Sequence, residues 1–185
     1  MTTIPLQDTI SLEHTSTAAD KLLIFFITGN PGLIEYYRAF LTLCFDSLRS
    51  SHPNLSIHVY GTSLAGFDIA QQHQKTATAE NNTPYNLEDQ IVDVEHSLTR
   101  LTSSSQNTNV PTRVVLIGHS VGSYILLEVL RRRKERLNAA TAGGGSREQG
   151  IKVVGGICLF PTVTHIARSP NGRIASVRSS SCLLT

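Results

Sequence analysis

The feature that most narrows what this chain can fold into is Gly118-His119-Ser120-Val121-Gly122, because of what flanks it. Just upstream, residues 113–117 read RVVLI, a short β-branched run of the kind that forms a strand covered on both faces. Just downstream, residues 124–137 have the pattern of an amphipathic helix. A strand that passes at once into a helix through G-x-S-x-G is the setting of a nucleophile elbow. The turn is so sharp that the positions two before and two after the serine, Gly118 and Gly122, must be small. It lifts the Ser120 hydroxyl above the sheet, at a helix N-terminus whose dipole favours an oxyanion. With Gly at about 7% of residues, the letters alone arise by chance roughly once in twenty chains of this length. The context therefore carries the argument. The alternative is a tight strand-to-helix turn with a capping serine.

The rest of the chain repeats the strand-helix alternation. Residues 21–28 (KLLIFFIT) form a continuous apolar run stopped by Gly29-Asn30-Pro31-Gly32, which predicts a central parallel strand. From 35 to 50, Tyr37, Phe40, Leu41, Cys44, Phe45 and Leu48 recur at steps of three and four, a helix face closed by Pro53. Residues 56–63 (SIHVYGTS) predict a second strand. Polar residues 71–84 read as a surface loop, and Asn86 is placed to cap a helix over 87–101. That helix has Glu88 and Asp89 in its first turn and Ile91, Val94, Leu98 and Leu101 on one face. Residues 103–110 read as a loop, and Gly143 to Gly145 lie in a flexible connection over 142–150. Residues 151–160 (IKVVGGICLF) predict a fourth strand, ended by Pro161. Alternation of this kind specifies a mostly parallel sheet with right-handed crossovers and flanking helices, the α/β class.

Three regions follow: a polar N-terminal lead over 1–20, a partial α/β core over 21–160, and over 161–185 a segment with an atypical tail where the alternation stops. Bulk composition excludes little. Among 185 residues, 40% are apolar and 16% charged, an ordinary globular balance with room for one core. A net charge of +2 argues for no nucleic-acid partner. Cys44, Cys158 and Cys182 are too scattered for a disulfide framework or a zinc site, so no metal and no cofactor are expected, and a reducing compartment is. Residues 1–20 lack the basic and apolar regions of a signal peptide. The longest apolar run, 22–27, falls far short of the roughly 20 residues of a spanning helix.

Two further groups bear on chemistry. In a fold with this elbow, one oxyanion donor is the N–H after the nucleophile, here Val121, and the other comes from the loop after an earlier strand. Gly29-Asn30-Pro31-Gly32 stands where that loop is expected, so the Asn30 N–H is the second candidate, with an ordinary Gly/Pro turn as the alternative. No Gly-Lys-Ser/Thr follows, which argues against a phosphate loop. His119 neighbours Ser120, but adjacent side chains on an elbow diverge. It is expected to pack or hydrogen-bond beside the site rather than to act as base. Arg131, Arg132, Arg133, Lys134 and Arg136 cluster at the end of the elbow helix, read as a helix C-terminus cluster with solvated charge or as a contact for an anionic lipid surface.

Residues 25–41 (FFITGNPGLIEYYRAFL), 85–91 (YNLEDQI), 118–130 (GHSVGSYILLEVL), 159–162 (LFPT) and 169–172 (SPNG) together resemble the lipid droplet-associated hydrolase family of the α/β-hydrolase superfamily. The resemblance runs from about 21 to 172, and beyond 174 the tail departs from the family pattern. It implies a serine carboxylic-ester hydrolase with Ser120 as nucleophile, a lipid ester such as a sterol ester or acylglycerol as substrate, and a lipid droplet or membrane surface as partner. The implied localisation is the lipid droplet or cytoplasm, with the surface of the endoplasmic reticulum as a further site.

Chain order in this fold is Ser, then Asp or Glu, then His. After Ser120 come only Glu128, Glu135 and Glu148 as acids and His165 as histidine, none of them positioned as the family places its triad. The chain is therefore expected to be cut off before the later strands that carry the acid and histidine. In this form it is expected to be weak or inactive, with an unpaired sheet edge and uncovered apolar faces. The alternative is a non-catalytic lipid-surface or interaction protein that retains the hydrolase fold.

Overall fold

The computed structural model describes residues 7–17, 20–67, 85–103, 112–142 and 151–163. These contain strands β1 (Thr9–His14), β2 (Lys21–Ile27), β3 (Ser56–Thr62), β4 (Thr112–His119) and β5 (Ile151–Leu159), with helices α1 (Arg38–Ser51), α2 (Leu87–Ser103) and α3 (Val121–Ala142). One sheet holds the strands in the order β1-β3-β2-β4-β5. β2 runs parallel to β3 and to β4, and β4 runs parallel to β5.

The sheet extends into the residues read from sequence as a polar lead. They contain β1, which pairs antiparallel with β3 from Thr9 opposite Thr62 to His14 opposite Ile57. The strand reads TISLEH. Ile10 is buried and Leu12 packs on the same cluster, while the intervening Thr9, Ser11 and Glu13 face the other way. An antiparallel edge strand needs only one apolar face, so its signal is two residues in a polar stretch. Boundaries shift elsewhere. Residues Ile34–Tyr37 form a 3-10 turn before α1, and α3 begins directly after Ser120, three residues earlier than its apolar pattern implies.

β2 organises the layers because its residues alternate between two cores. Leu23, Phe25 and Ile27 pack with Ile91, Val94 and Leu98 of α2 and Ile125, Leu126 and Val129 of α3. Ile24 and Phe26 pack on the opposite face with Leu41 and Phe45 of α1. Each buried side chain of this size contributes about 1.5–3 kcal/mol. α2 starts as expected at Asn86, whose Oδ1 accepts the Asp89 N–H at 3.1 Å while Asp89 Oδ2 accepts the Asn86 N–H at 2.8 Å.

β5 is the far edge. It pairs with β4 through a bulge, where Val114 faces Val153 and Val115 faces Gly155. Among the described residues its outer edge has no partner strand, and Val154 and Ile157 are about half exposed. Of the loop expected over 103–110 and the Gly-rich connection over 142–150, Ser103 and Ala142 end α2 and α3; their other residues, the loop over 71–84, His165 and the turn at 169–172 lie outside the described residues.

Candidate functional site

The β4–α3 junction sits at the carboxyl end of the parallel strands, the end where open α/β sheets bind their ligands. Ser120 has a φ of 52°, the left-handed region that a residue with a Cβ enters at a cost of about 1–3 kcal/mol. Three hydrogen bonds hold it there. Its N–H donates to the Leu159 carbonyl at 2.9 Å, and its carbonyl accepts the N–H groups of Ser123 at 3.0 Å and Thr162 at 3.2 Å. The smallness required of Gly118 and Gly122 has a specific cause. A Cβ on Gly118 would run into the Gly122 carbonyl and reach within 2.8 Å of the Ser123 Cα. One on Gly122 would strike the Ile27 carbonyl oxygen and lie 2.5 Å from that of Thr28, at the end of β2. The elbow therefore folds back on itself and presses against the central strand.

The turn after β2 lies against the same junction. An ideal Cβ on Gly29 would lie 2.6 Å from His119 Nδ1, 2.7 Å from the His119 carbonyl and 2.8 Å from the Ser120 Cβ. Only glycine lets the loop that carries Asn30 come so near. The Gly32 N–H donates to the Gly29 carbonyl at 2.6 Å, and the Leu64 N–H donates to the Gly32 carbonyl at 2.8 Å, so the turn is closed and tied to the end of β3. Gly32 itself has a φ of 85°. The structure thus brings Gly118, Ser120, Val121 and Gly122 together with the Asn30 loop. As the first residue of α3, Val121 contributes one of the helix N–H groups that have no acceptor within the helix.

His119 is occupied elsewhere, as expected of a neighbour that diverges from the serine. Its Nδ1 is 2.9 Å from the Tyr37 hydroxyl, and its ring packs against those of Tyr37 and Phe160. The Tyr37 hydroxyl also accepts the Gly29 N–H at 3.2 Å. The Ser120 hydroxyl lies 3.2 Å from Thr162 Oγ1. Among the described residues no carboxylate or imidazole is hydrogen-bonded to it. Tyr37, Thr162 and Phe160 are the site residues that sequence reasoning did not single out. Phe160 and Thr162 were visible within the LFPT fragment, and Tyr37 as one member of a helix face and of the 25–41 segment. Phe160 is exposed and, with a φ of 45°, is the second described non-glycine residue in the left-handed region.

Glu128 and Glu135 stand apart from this site. Arg131 bonds both, Arg132 bonds Glu128 and, across to α2, Glu88 at 2.6 and 2.7 Å, and Arg136 reaches Glu95 at 2.8 Å. Hydrogen bonds from Arg131 and Arg132 hold the Glu128 carboxyl down to about 2. Three members of the basic cluster are thus engaged in joining α3 to itself and to α2. A cavity of about 320 Å3 lined by Glu13, His58 and Thr112 lies at the amino ends of the parallel strands, away from Ser120. Among the described residues no three His, Cys, Asp or Glu side chains gather as metal ligands, and no helix is long and apolar enough to cross a membrane.

The model of a family described as lipid-droplet associated hydrolase matches residues 20–184. This chain belongs to that family. The match reaches to residue 184, into the tail beyond 174. Relatives named lipid droplet-associated hydrolase include one from Pongo abelii, 35% identical over 165 residues, and one from Homo sapiens, 34% identical over the same number. Each alignment takes in 87% of this chain and 44% of the relative, so the chain spans less than half the length of these lipid-droplet associated hydrolases. Among solved structures, esterase B from Lactobacillus rhamnosis inhibited by a C4-C4 SN3 tributyrin phosphonate superposes with a TM-score of 0.55 at 14% identity. It covers 92% of this chain and 54% of the esterase. That likeness shows the α/β-hydrolase fold, and its partial coverage fits an incomplete one.

Proposed function

We propose that this chain carries the nucleophile half of a serine ester hydrolase acting on lipid esters, a sterol ester or an acylglycerol, at a lipid droplet or membrane surface. The observation that carries the reading is the left-handed Ser120 at the head of α3, pressed against β2 and flanked by the Asn30 loop. In this reading Ser120 Oγ attacks the ester carbonyl carbon, and the Val121 and Asn30 N–H groups stabilise the oxyanion. Collapse of the tetrahedral intermediate expels the alcohol and leaves an acyl-serine, which water then hydrolyses. Family membership supports hydrolysis, and the relatives' names support the lipid droplet as the place of action.

Proton transfer from Ser120 calls for a base, and its described hydroxyl partner, Thr162, is not one. Turnover by residues 1–185 alone is therefore expected to be weak, since an oxyanion hole without its triad leaves only residual acceleration. The same observation favours a second reading, a non-catalytic protein that keeps the fold and binds a lipid surface. A fluorophosphonate probe separates them. Covalent labelling of the folded chain that disappears in Ser120→Ala supports the hydrolase. A folded chain that takes no label, and whose binding to triacylglycerol-filled droplets is unchanged by Ser120→Ala, supports the other.

A further inference from the structure

Gly29 has to be glycine, because a Cβ there would overlap His119 and Ser120. Glycine is also the residue with the widest backbone freedom. A loop that must present the Asn30 N–H at a fixed place thus begins at the position least able to hold a direction. The structure resolves this by restraining both peptide groups that flank Gly29. On one side the Gly29 carbonyl, in the same peptide plane as the Asn30 N–H, accepts the Gly32 N–H at 2.6 Å. On the other side the Gly29 N–H donates to the Tyr37 hydroxyl at 3.2 Å. Tyr37 is itself anchored, with its ring 4.6 Å from that of Phe26 in β2 and its hydroxyl 2.9 Å from His119 Nδ1.

We propose that Tyr37 is a positioning residue for the oxyanion loop, its hydroxyl fastening Gly29 to His119 and thereby setting the Asn30 N–H relative to Ser120. The inference rests on the reading of Ser120 as nucleophile. The Tyr37 oxygen accepts the Gly29 N–H, and if its O–H in turn donates to His119 Nδ1, each bond polarises the next. His119 must then carry its proton on Nε2. This gives His119, the residue before the serine, a role that does not involve taking a proton: it terminates the fastening. Tyr37→Phe keeps the ring packing and removes a single oxygen.

Three measurements on the full chain test this. Amide hydrogen exchange at Gly29 is expected to quicken about tenfold or more in Tyr37→Phe, with the β2 amides unchanged, and the His119 nitrogen shifts are expected to lose the pure Nε2–H pattern. With a fluorophosphonate, the maximal rate of Ser120 inactivation is expected to fall about tenfold while the half-saturating probe concentration stays put, as for weakened stabilisation of developing charge. Unchanged Gly29 exchange overturns the fastening. Quickened exchange with an unchanged inactivation rate overturns the link to the oxyanion loop. If the wild-type chain takes no label although Gly29 is protected, the nucleophile reading fails and the positioning role goes with it, which the exchange data distinguish from failure of the fastening itself.

Discussion

β2 and β5 read much alike, KLLIFFI against IKVVGGICL, yet the fold treats them oppositely. In β2 Leu23 to Ile27 are all exposed by 6% or less, paired on both edges and covered on both faces. In β5 Val154 is 47% and Ile157 46% exposed, with one edge paired among the described residues. Apolar character alone does not decide burial. Position in the sheet order does, and order depends on contacts far apart in sequence. The elbow lies between these two strands and depends on both, with Gly122 against the end of β2 and Ser120 bonded to the end of β5.

The largest test of this contrast is truncation in the two strands. Phe26→Ala is expected to destabilise the chain by about 4 kcal/mol, through lost burial and the cavity left beneath α1. Ile157→Ala is expected to cost about 0.5 kcal/mol, as at an exposed position. Urea unfolding of both checks this, and comparable losses would mean that β5 is covered in solution. Next in size is the elbow. Ser120→Gly is expected to raise stability by about 1 kcal/mol, because glycine adopts a φ of 52° without strain. Thermal unfolding reads the difference, and a fall in midpoint would show that the serine side chain contributes more than its backbone costs.

The smallest effect lies in the helices that cover β2. The Glu128 carboxyl is held from its usual 4.5 down to about 2, so the stability it contributes is fully present above about pH 4.5 and is lost as pH falls toward 2. The gap in urea midpoint between wild type and Glu128→Gln should therefore be largest near neutral pH and close in acid. It should shrink in high salt as well, because the pairs around it are solvent-facing. A gap that does not vary with pH would remove the electrostatic account.

What the sequence made legible was whatever is encoded by neighbours. The run over 21–28, the Asn86 cap and the strand-Gly-x-Ser-x-Gly-helix passage each announce themselves within a few residues, and each appears in the fold with its ends shifted by at most a few residues. β1 was missed because Ile10 and Leu12 are a two-residue alternation in a polar stretch. Tyr37 and Thr162 were missed for another reason. Their contacts with His119 and Ser120 span 82 and 42 residues, and no local pattern marks a hydroxyl for so distant a partner. The same holds for the partner strand of β1, which lies across the whole of β2 and α1 in the chain.

The hydrogen bonds from Ser120 to Leu159 and Thr162 also set an order in time. While the chain is being synthesised, residue 120 emerges with one of the three bonds that fix its backbone, that from Ser123, close at hand, and the last partner, Thr162, is still 42 residues from being made. At roughly 5–20 residues per second that interval is about two to eight seconds. The Ser120 backbone is fully bonded only when the strand beyond α3 arrives, so that completion of the sheet and fixing of this turn are one event.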